Sequence, residues 1–199
     1  MHTDEQSGPL VSRVPALPLG VTLRPYHDGD RDAVRHLTTL SFGPVSIAGA
    51  MEQRWGAGAF PLPWAERKWR EVAADLERYA PHCLVAVAAG EAVIGCVTAQ
   101  ISPETGIGRI PDLMVEPAYQ GQGVGRALLM TCLDHFRVLG LVAAKIETLA
   151  HNEVGAHLYP SLGFELIATQ YHYALLLNSP EEPSGAPPSG ARHGGAGPG

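Results

Sequence analysis

The densest chemical signal in this 199-residue sequence is the run Gln120-Gly121-Gln122-Gly123-Val124-Gly125-Arg126-Ala127. It lies between an apolar run ending at Val115 and a long helical pattern. Glycines there let backbone N–H groups turn inward and come close to an anion. The start of the helix adds unsatisfied donors and partial positive charge, which suits a pyrophosphate. Arg126 could add a direct charge contact. A Walker loop is excluded, because it needs Gly-Lys-Ser/Thr after four spacer residues. A dinucleotide fingerprint is excluded too. Started at Gly121 it needs glycine where Arg126 stands, and started at Gly123 it needs glycine where Leu128 stands. From this loop alone, a glycine-rich connector with no ligand stays open.

The elements that must position the loop follow from periodicity and punctuation. Val21 to Pro25 reads as a first strand, and Asp28-Gly-Asp caps a helix running to about Leu40, with Val34, Leu37 and Leu40 inward. Ser41 to Pro63 is a stretch rich in glycine and proline. A second helix, about Trp64 to Tyr79, sets Trp69, Val72, Ala73, Leu76 and Tyr79 on one stripe, and Pro81 stops it. Cys83 to Ala88 and Ala92 to Ile101 form a hairpin across Ala89-Gly90-Glu91. Arg109 to Val115 returns as a third strand. The glycine loop then opens a helix to Leu139, where Gly140 is the stop. A strand at Val142 to Leu149, a short helix at about Glu153 to Leu162 and a strand pair within 164–177 complete the chain. The order is β-α-α-β-β-β-α-β-α-β-β, a mixed α/β domain: an antiparallel meander, then a strand-helix-strand crossover.

Composition sets the outer bounds. Hydrophobic residues at 45% and charged residues at 17% describe one globular domain rather than a disordered chain. The domain is expected over residues 21–178. Residues 1–20 read as a flexible leader, and residues 179–199, mostly Pro, Gly, Ser and Ala, as a disordered tail. A net charge of -6 argues against a general nucleic-acid binder. No segment approaches the roughly 18 apolar residues that span a bilayer, so no membrane partner is expected. Cys83, Cys96 and Cys132 sit in apolar runs with no metal-like spacing. They read as reduced, buried thiols in a cytoplasmic protein.

Val115-Glu-Pro-x-x-Gln-Gly-x-Gly-Val-Gly-Arg126 resembles the coenzyme A signature of the GCN5-related N-acetyltransferases. A second segment, Asn152-Glu-Val-Gly-Ala-His-Leu-Tyr159-Pro-Ser-Leu-Gly163-Phe164, is similar to that family's Asn-x₆-Tyr-x-x-x-Gly-Phe. With the first-strand Val-Thr-Leu-Arg-Pro, the likeness covers residues 21–177. It implies acetyl transfer from acetyl-CoA, as co-substrate, to a primary amine. By this resemblance the main chain of Leu113, Met114 and Val115 would bond the pantetheine arm, with one amide facing the thioester carbonyl. Gln120, Gly121, Gln122, Gly123, Val124, Gly125 and Arg126 would hold the pyrophosphate, and Asn152 would contact the CoA arm. Tyr159 would be the general acid. A phenol, with a reference pKa of about 10, stays protonated at neutral pH and can donate to a leaving thiolate. Pro160 departs from the pattern and should kink or end the short helix beside Tyr159.

The attacking amine must lose a proton. Glu147 matches the position of a base glutamate in the family's ribosomal-protein and N-terminal acetylases, and partial desolvation there should raise its pKa. Asp112 is the rival, on the strand that lines the acyl site. His151-x-Glu153-x₃-His157 is not a zinc motif, and no metal is expected. Trp55 and Phe60 could belong to a mobile acceptor lid, whereas Trp69 reads as core. The acceptor, a small molecule or a protein N-terminus or lysine, is not written in the spacing. A homodimer is left open, and so is a non-catalytic acyl-CoA-binding module.

Overall fold

The computed structural model describes residues 16–177. The expected tail, 179–199, and most of the expected leader, 1–15, lie outside the described residues. Two compact units divide the chain after Ile167.

In the first unit, β1 (Thr22–Pro25) leads through a turn at Asp28–Asp30 into α1 (Arg31–Phe42). α2 (Ile47–Trp55) and α3 (Trp64–Tyr79) follow. Next come β2 (Leu84–Val87), β3 (Val93–Val97), β4 (Gln100–Ser102), β5 (Ile107–Ile110) and β6 (Leu113–Val115). Then α4 (Val124–Val138), β7 (Ala143–Ile146) and α5 (Glu153–Leu158) close the unit. α3 has the expected bounds. α2 was not expected in the glycine-rich stretch. It forms because the Ser46 side chain accepts from Gly49 N–H as an N-cap, and Gly56 at φ 88° ends it.

Alternation along the strands supplies two cores. Val85, Val87, Cys96 and Met114 pack with Val34, Leu37, Trp69, Val72 and Leu76 from α1 and α3. Ala86, Ile94, Val97 and Ile110 pack with Val124, Leu128, Cys132 and Phe136 from α4. The strands therefore lie between a helix pair and α4. Leu40, expected inward, is 42% exposed near the end of α1. The three cysteines are buried and unpaired. Burial pushes the Cys83 thiol up to about 11 and the Cys132 thiol up to about 12.

The expected third meander strand is broken. One sheet runs β1-β2-β3-β6, antiparallel throughout; the other runs β4-β5-β7, with β5 and β7 parallel. The break has a local cause. Pro111 has no N–H to give. Asp112 N–H then bonds the Thr98 hydroxyl at 3.1 Å, while Thr98 N–H bonds the Asp112 carbonyl at 3.0 Å. A side-chain hydroxyl has replaced a backbone acceptor, and the ladder kinks. β5 then follows β7, whereas β6 stays with β3.

Residues 164–177 form no strand among the described residues, which corrects the expected final pair. Leu166 and Ile167 in the first unit are exposed, as are Tyr171, Tyr173, Leu175 and Leu177 in the second. Their alternation is a local property, whereas a strand exists only when an edge pairs with it.

Candidate functional site

The kink leaves one edge of β6 open. Thr98 N–H to Asp112 and Glu116 N–H to the Ile94 carbonyl, at 2.8 Å, bracket the β3–β6 pairing. In an antiparallel ladder alternate residues face the partner, so Met114 spends both its backbone groups on β3. Leu113 and Val115 turn theirs to the opposite edge. On that edge the Val115 carbonyl accepts from Gln120 Nε2 at 2.9 Å. What remains there is the Leu113 and Val115 N–H and the Leu113 carbonyl. The three-residue contact expected of this strand narrows to Leu113 and Val115.

The glycine loop follows through the turn at Pro117–Tyr119. Gln122 Nε2 donates to the Ala118 carbonyl at 2.8 Å, so both loop glutamines fold back on the chain and offer only backbone outward. Gly121 and Gly123 have φ of 72° and 86°, and a Cβ on either would meet nothing within 4 Å. Open space above left-handed glycines is what a phosphate needs to reach backbone N–H groups. Ala127 N–H is the first to bond within the helix, to Gly123 at 2.9 Å. The N–H groups of Val124, Gly125 and Arg126 thus stand free at the positive end of a 15-residue helix. The Val124 side chain itself is core. Arg126 does not point freely into this space: its guanidinium donates to Ser161 Oγ at 2.7 Å. The residues present fit a coenzyme A pyrophosphate on backbone donors.

Asn152 is the N-cap of α5. Its Oδ1 accepts from Gly155 N–H at 3.3 Å and its Nδ2 donates to Thr148 Oγ1 at 2.9 Å. Pro160 ends α5 at Leu158 and opens a single 3₁₀ turn, Pro160–Leu162. Tyr159 N–H still bonds the Gly155 carbonyl at 3.1 Å, so the proline leaves Tyr159 seated at the helix end. Its ring meets Phe164 edge-on at 6.1 Å. Burial raises the phenol's pKa, and the charge of Asp112 adds to the rise. It is a proton donor, not a phenolate, across the neutral range.

Glu147 departs from expectation. Its carboxylate lies 2.7 Å from Arg109 and 2.7 Å from Lys145, and the side chain is 47% exposed. The Lys145 hydrogen bond, aided by that of Arg109, outweighs partial burial and holds its pKa below the usual carboxylate value. The expected upward shift is therefore reversed. The parallel register explains the grip: Arg109 stands opposite Lys145, two residues before Glu147 on the same face.

Asp112 is 2% exposed. Its Oδ2 accepts from the Thr98 hydroxyl at 3.2 Å, and its Oδ1 lies 2.7 Å from Lys68 Nζ on α3. Burial pulls the Lys68 pKa down, but Asp112 and Glu71 overcome it, and the net shift is upward. Sequence reasoning missed Lys68, because nothing local ties α3 to the kink.

Among the described residues no group of three or more His, Cys, Asp or Glu is gathered to hold a metal ion. His151 instead donates from Nε2 to the Pro44 carbonyl at 2.9 Å, joining the α1–α2 connection to the segment before α5. Among the described residues no helix is long and apolar enough to cross a membrane.

The chain is similar to the mycothiol acetyltransferase of Pseudarthrobacter chlorophenolicus, 32% identical over 154 residues, which are 75% of this chain and 44% of that relative. The mycothiol acetyltransferase of Propionibacterium freudenreichii subsp. shermanii is 29% identical over 160 residues, 79% of this chain and 47% of the relative. The chain thus spans about half the length of the curated relatives it matches. Among solved structures, the fold resembles a PaiA N-acetyltransferase from Thermoplasma acidophilum in complex with coenzyme A. The TM-score is 0.62 at 18% identity, over 75% of this chain and 92% of that one. The Escherichia coli ribosomal-protein-S18-alanine N-acetyltransferase gives a TM-score of 0.54 at 24% identity, over 73% and 77%. The model of the acetyltransferase (GNAT) family matches residues 51–164, from α2 through the glycine loop to Phe164. That match takes in more than half of the sequence and both of its motifs, and the chain belongs to the acetyltransferase (GNAT) family.

Proposed function

We propose that this chain is an acetyl-CoA-dependent N-acetyltransferase acting on a primary amine. The observation that carries the reading is two neighbouring sets of unspent backbone donors, separated by the bonded turn at Pro117–Tyr119. One is the N–H groups of Leu113 and Val115 on the open edge of β6; the other runs over Gly121 and Gly123 to the first N–H groups of α4. Peptide-like pantetheine amides would pair with the β6 edge as an added strand does, and the loop would take the pyrophosphate. The bound thioester supplies the activated acetyl group. The chain's own part is to hold that carbonyl against a fixed N–H and to place Tyr159 Oη as proton donor to the departing sulfur. Asn152 supports the site by fixing the turn that starts α5.

The proton of the attacking amine leaves through water to a carboxylate. Glu147 is ionised at neutral pH and open to solvent, and it is our first choice. Its low pKa makes it a modest base, with Asp112 the rival. The mycothiol acetyltransferase relatives make a mycothiol-type amine the first acceptor to try, and the S18-alanine enzyme makes a protein N-terminus the second. A reducing cytoplasm fits three buried free thiols.

The test follows free thiol release from acetyl-CoA across an amine panel, with Gly123→Val as control. A side chain at the left-handed Gly123 costs about 1–2 kcal/mol, so the free loop of the variant relaxes away from this conformation, and restoring it on binding weakens coenzyme A about tenfold. Thiol release with no amine on the panel, or unchanged coenzyme A affinity in a folded Gly123→Val protein, overturns the reading.

A further inference from the structure

Arg126 stands in the first turn of α4, yet its side chain leaves the glycine loop and reaches the turn that follows Tyr159. Nη2 donates to Ser161 Oγ at 2.7 Å, and Nη1 lies 3.4 Å from the Ser161 carbonyl as the second prong of a fork. Packing brings the two together. A Cβ on Gly125 would come within 3.4 Å of Val115, 3.6 Å of Leu113 and 4.0 Å of Leu158. The first turn of α4 is thus pressed between β6 and the end of α5, and the next residue finds Ser161 within reach.

Ser161 is in turn tied to the segment that seats Tyr159. Pro160 has no N–H with which to continue α5, and the Ser161 hydroxyl donates to the Leu158 carbonyl at 2.6 Å. With its proton spent there, the same oxygen accepts from Arg126. The Tyr159 carbonyl takes the N–H groups of Leu162 at 3.0 Å and Phe164 at 3.1 Å. Arg126, Ser161 and the Leu158 carbonyl therefore form one chain of hydrogen bonds that ends one residue before Tyr159. The phosphate loop does not need this guanidinium, because the backbone N–H groups of Val124, Gly125 and Arg126 already stand free there.

We propose that the side chains of Arg126 and Ser161 are positioning groups for the proton-donating phenol: they hold the turn after α5 so that Tyr159 Oη keeps its place. The proposal rests on the acetyl-transfer reading, in which Tyr159 protonates the departing sulfur. Both side chains act through that turn and not on the reacting atoms. A donor displaced by about 1 Å can lose as much as about a hundredfold in rate, so a loosened turn is felt at the chemical step. Coenzyme A binding, held by backbone donors, is spared.

The test compares Arg126→Gln, Ser161→Ala and Ser161→Thr in the full chain. Hydrogen exchange at the Leu162 and Phe164 amides, both bonded to the Tyr159 carbonyl, should quicken about tenfold in the first two. It should return towards the parent in Ser161→Thr, which keeps the hydroxyl. Calorimetric coenzyme A affinity should stay within about twofold in all three, because the backbone donors are untouched. With an amine accepted in the thiol-release panel, kcat should fall about tenfold or more in Arg126→Gln and Ser161→Ala while KM for acetyl-CoA holds. In a Tyr159→Phe background Ser161→Ala should cost little more, since the donor it positions is gone. A loss of coenzyme A affinity of about tenfold confined to Arg126→Gln makes Arg126 a phosphate ligand and overturns the proposal. Unchanged exchange in both variants, or losses that add in full to that of Tyr159→Phe, overturn it too. A parent that transfers acetyl with kcat unchanged in the variants sinks the positioning role alone. A parent that binds coenzyme A and acetylates no amine sinks the transfer reading, and the positioning role with it.

Discussion

Asp112→Asn removes one charge from the kink and almost nothing from its shape. The amide still fits beside Thr98, where Oδ2 accepts a hydroxyl at 3.2 Å. What is lost is the charge 2.7 Å from Lys68, in a pair whose side chains are 14% and 1% exposed. Removing one partner of a buried pair costs about 3–5 kcal/mol. Lys68 keeps some solvent and the Glu71 carboxylate at 3.1 Å, so the lower end applies, about 3 kcal/mol. For a chain of this size that lowers Tm by about 6–12 °C. The pH dependence gives a second arm. The folded-state pKa of Lys68 lies above its unfolded value, so the folded protein keeps a proton that the unfolded chain begins to lose near pH 10.4. The resulting stability is complete below that pH and declines as pH rises through the folded pKa. The parent's advantage over Asp112→Asn should therefore be constant from pH 7 to 9 and narrow towards pH 11, read by scanning calorimetry. A Tm loss under about 2 °C at pH 7, or an advantage that does not narrow, refutes the account of the pair.

Tyr159→Phe keeps the ring against Phe164 and deletes only the donor; turnover should fall about a hundredfold or more while coenzyme A affinity holds, and parental turnover would return Tyr159 to a packing role. Glu147→Gln should lower kcat/KM at neutral pH with partial rescue as pH rises, and Asp112→Asn should do so less. Because Glu147 is held below the usual carboxylate range, the parent's kcat/KM should show no acid limb from it between pH 6 and 8; such a limb that disappears in Glu147→Gln would contradict the ion pairs seen. His82 Nδ1 lies 2.8 Å from His135 Nε2, and burial, then the neighbouring ring, lowers the His82 pKa. The stability tied to it is present above the unfolded value of about 6.5 and is lost as pH falls through the folded pKa, so Tm should drop from pH 7 to 5, and less in His135→Gln.

Which features the sequence carried depended on how local their causes are. α3 was legible to the residue because its stripe of Trp69, Val72, Ala73 and Leu76 is bounded by Pro63 and Pro81. The glycine loop was legible because left-handed turns and a helix start are written in neighbouring residues. α2 escaped because its one strong local signal is Ser46 capping Gly49, within a run of small residues. The upward shift expected for Glu147 failed because Lys145, two residues earlier on the same face, holds its carboxylate, together with Arg109, set beside it by parallel register 38 positions away. Pro111 is written in the chain, but the Thr98–Asp112 bonds that complete the kink and the Lys68–Asp112 pair join elements distant in sequence, which no spacing along the chain encodes.

The open edge and the Lys68–Asp112 pair have one physical origin. With Pro111 unable to donate and Asp112 N–H diverted to the Thr98 hydroxyl, the ladder cannot continue straight. β6 parts from the β5–β7 sheet, and the N–H groups of Leu113 and Val115 are freed on the side facing the split. The same diversion turns the Asp112 carboxyl inward beneath α3, where a buried charge is costly without a partner. Lys68 is that partner at 2.7 Å and also meets Glu71 at 3.1 Å. An open hydrogen-bonding edge and a buried ion pair thus stand back to back at one residue. Both features come from a single break in a strand.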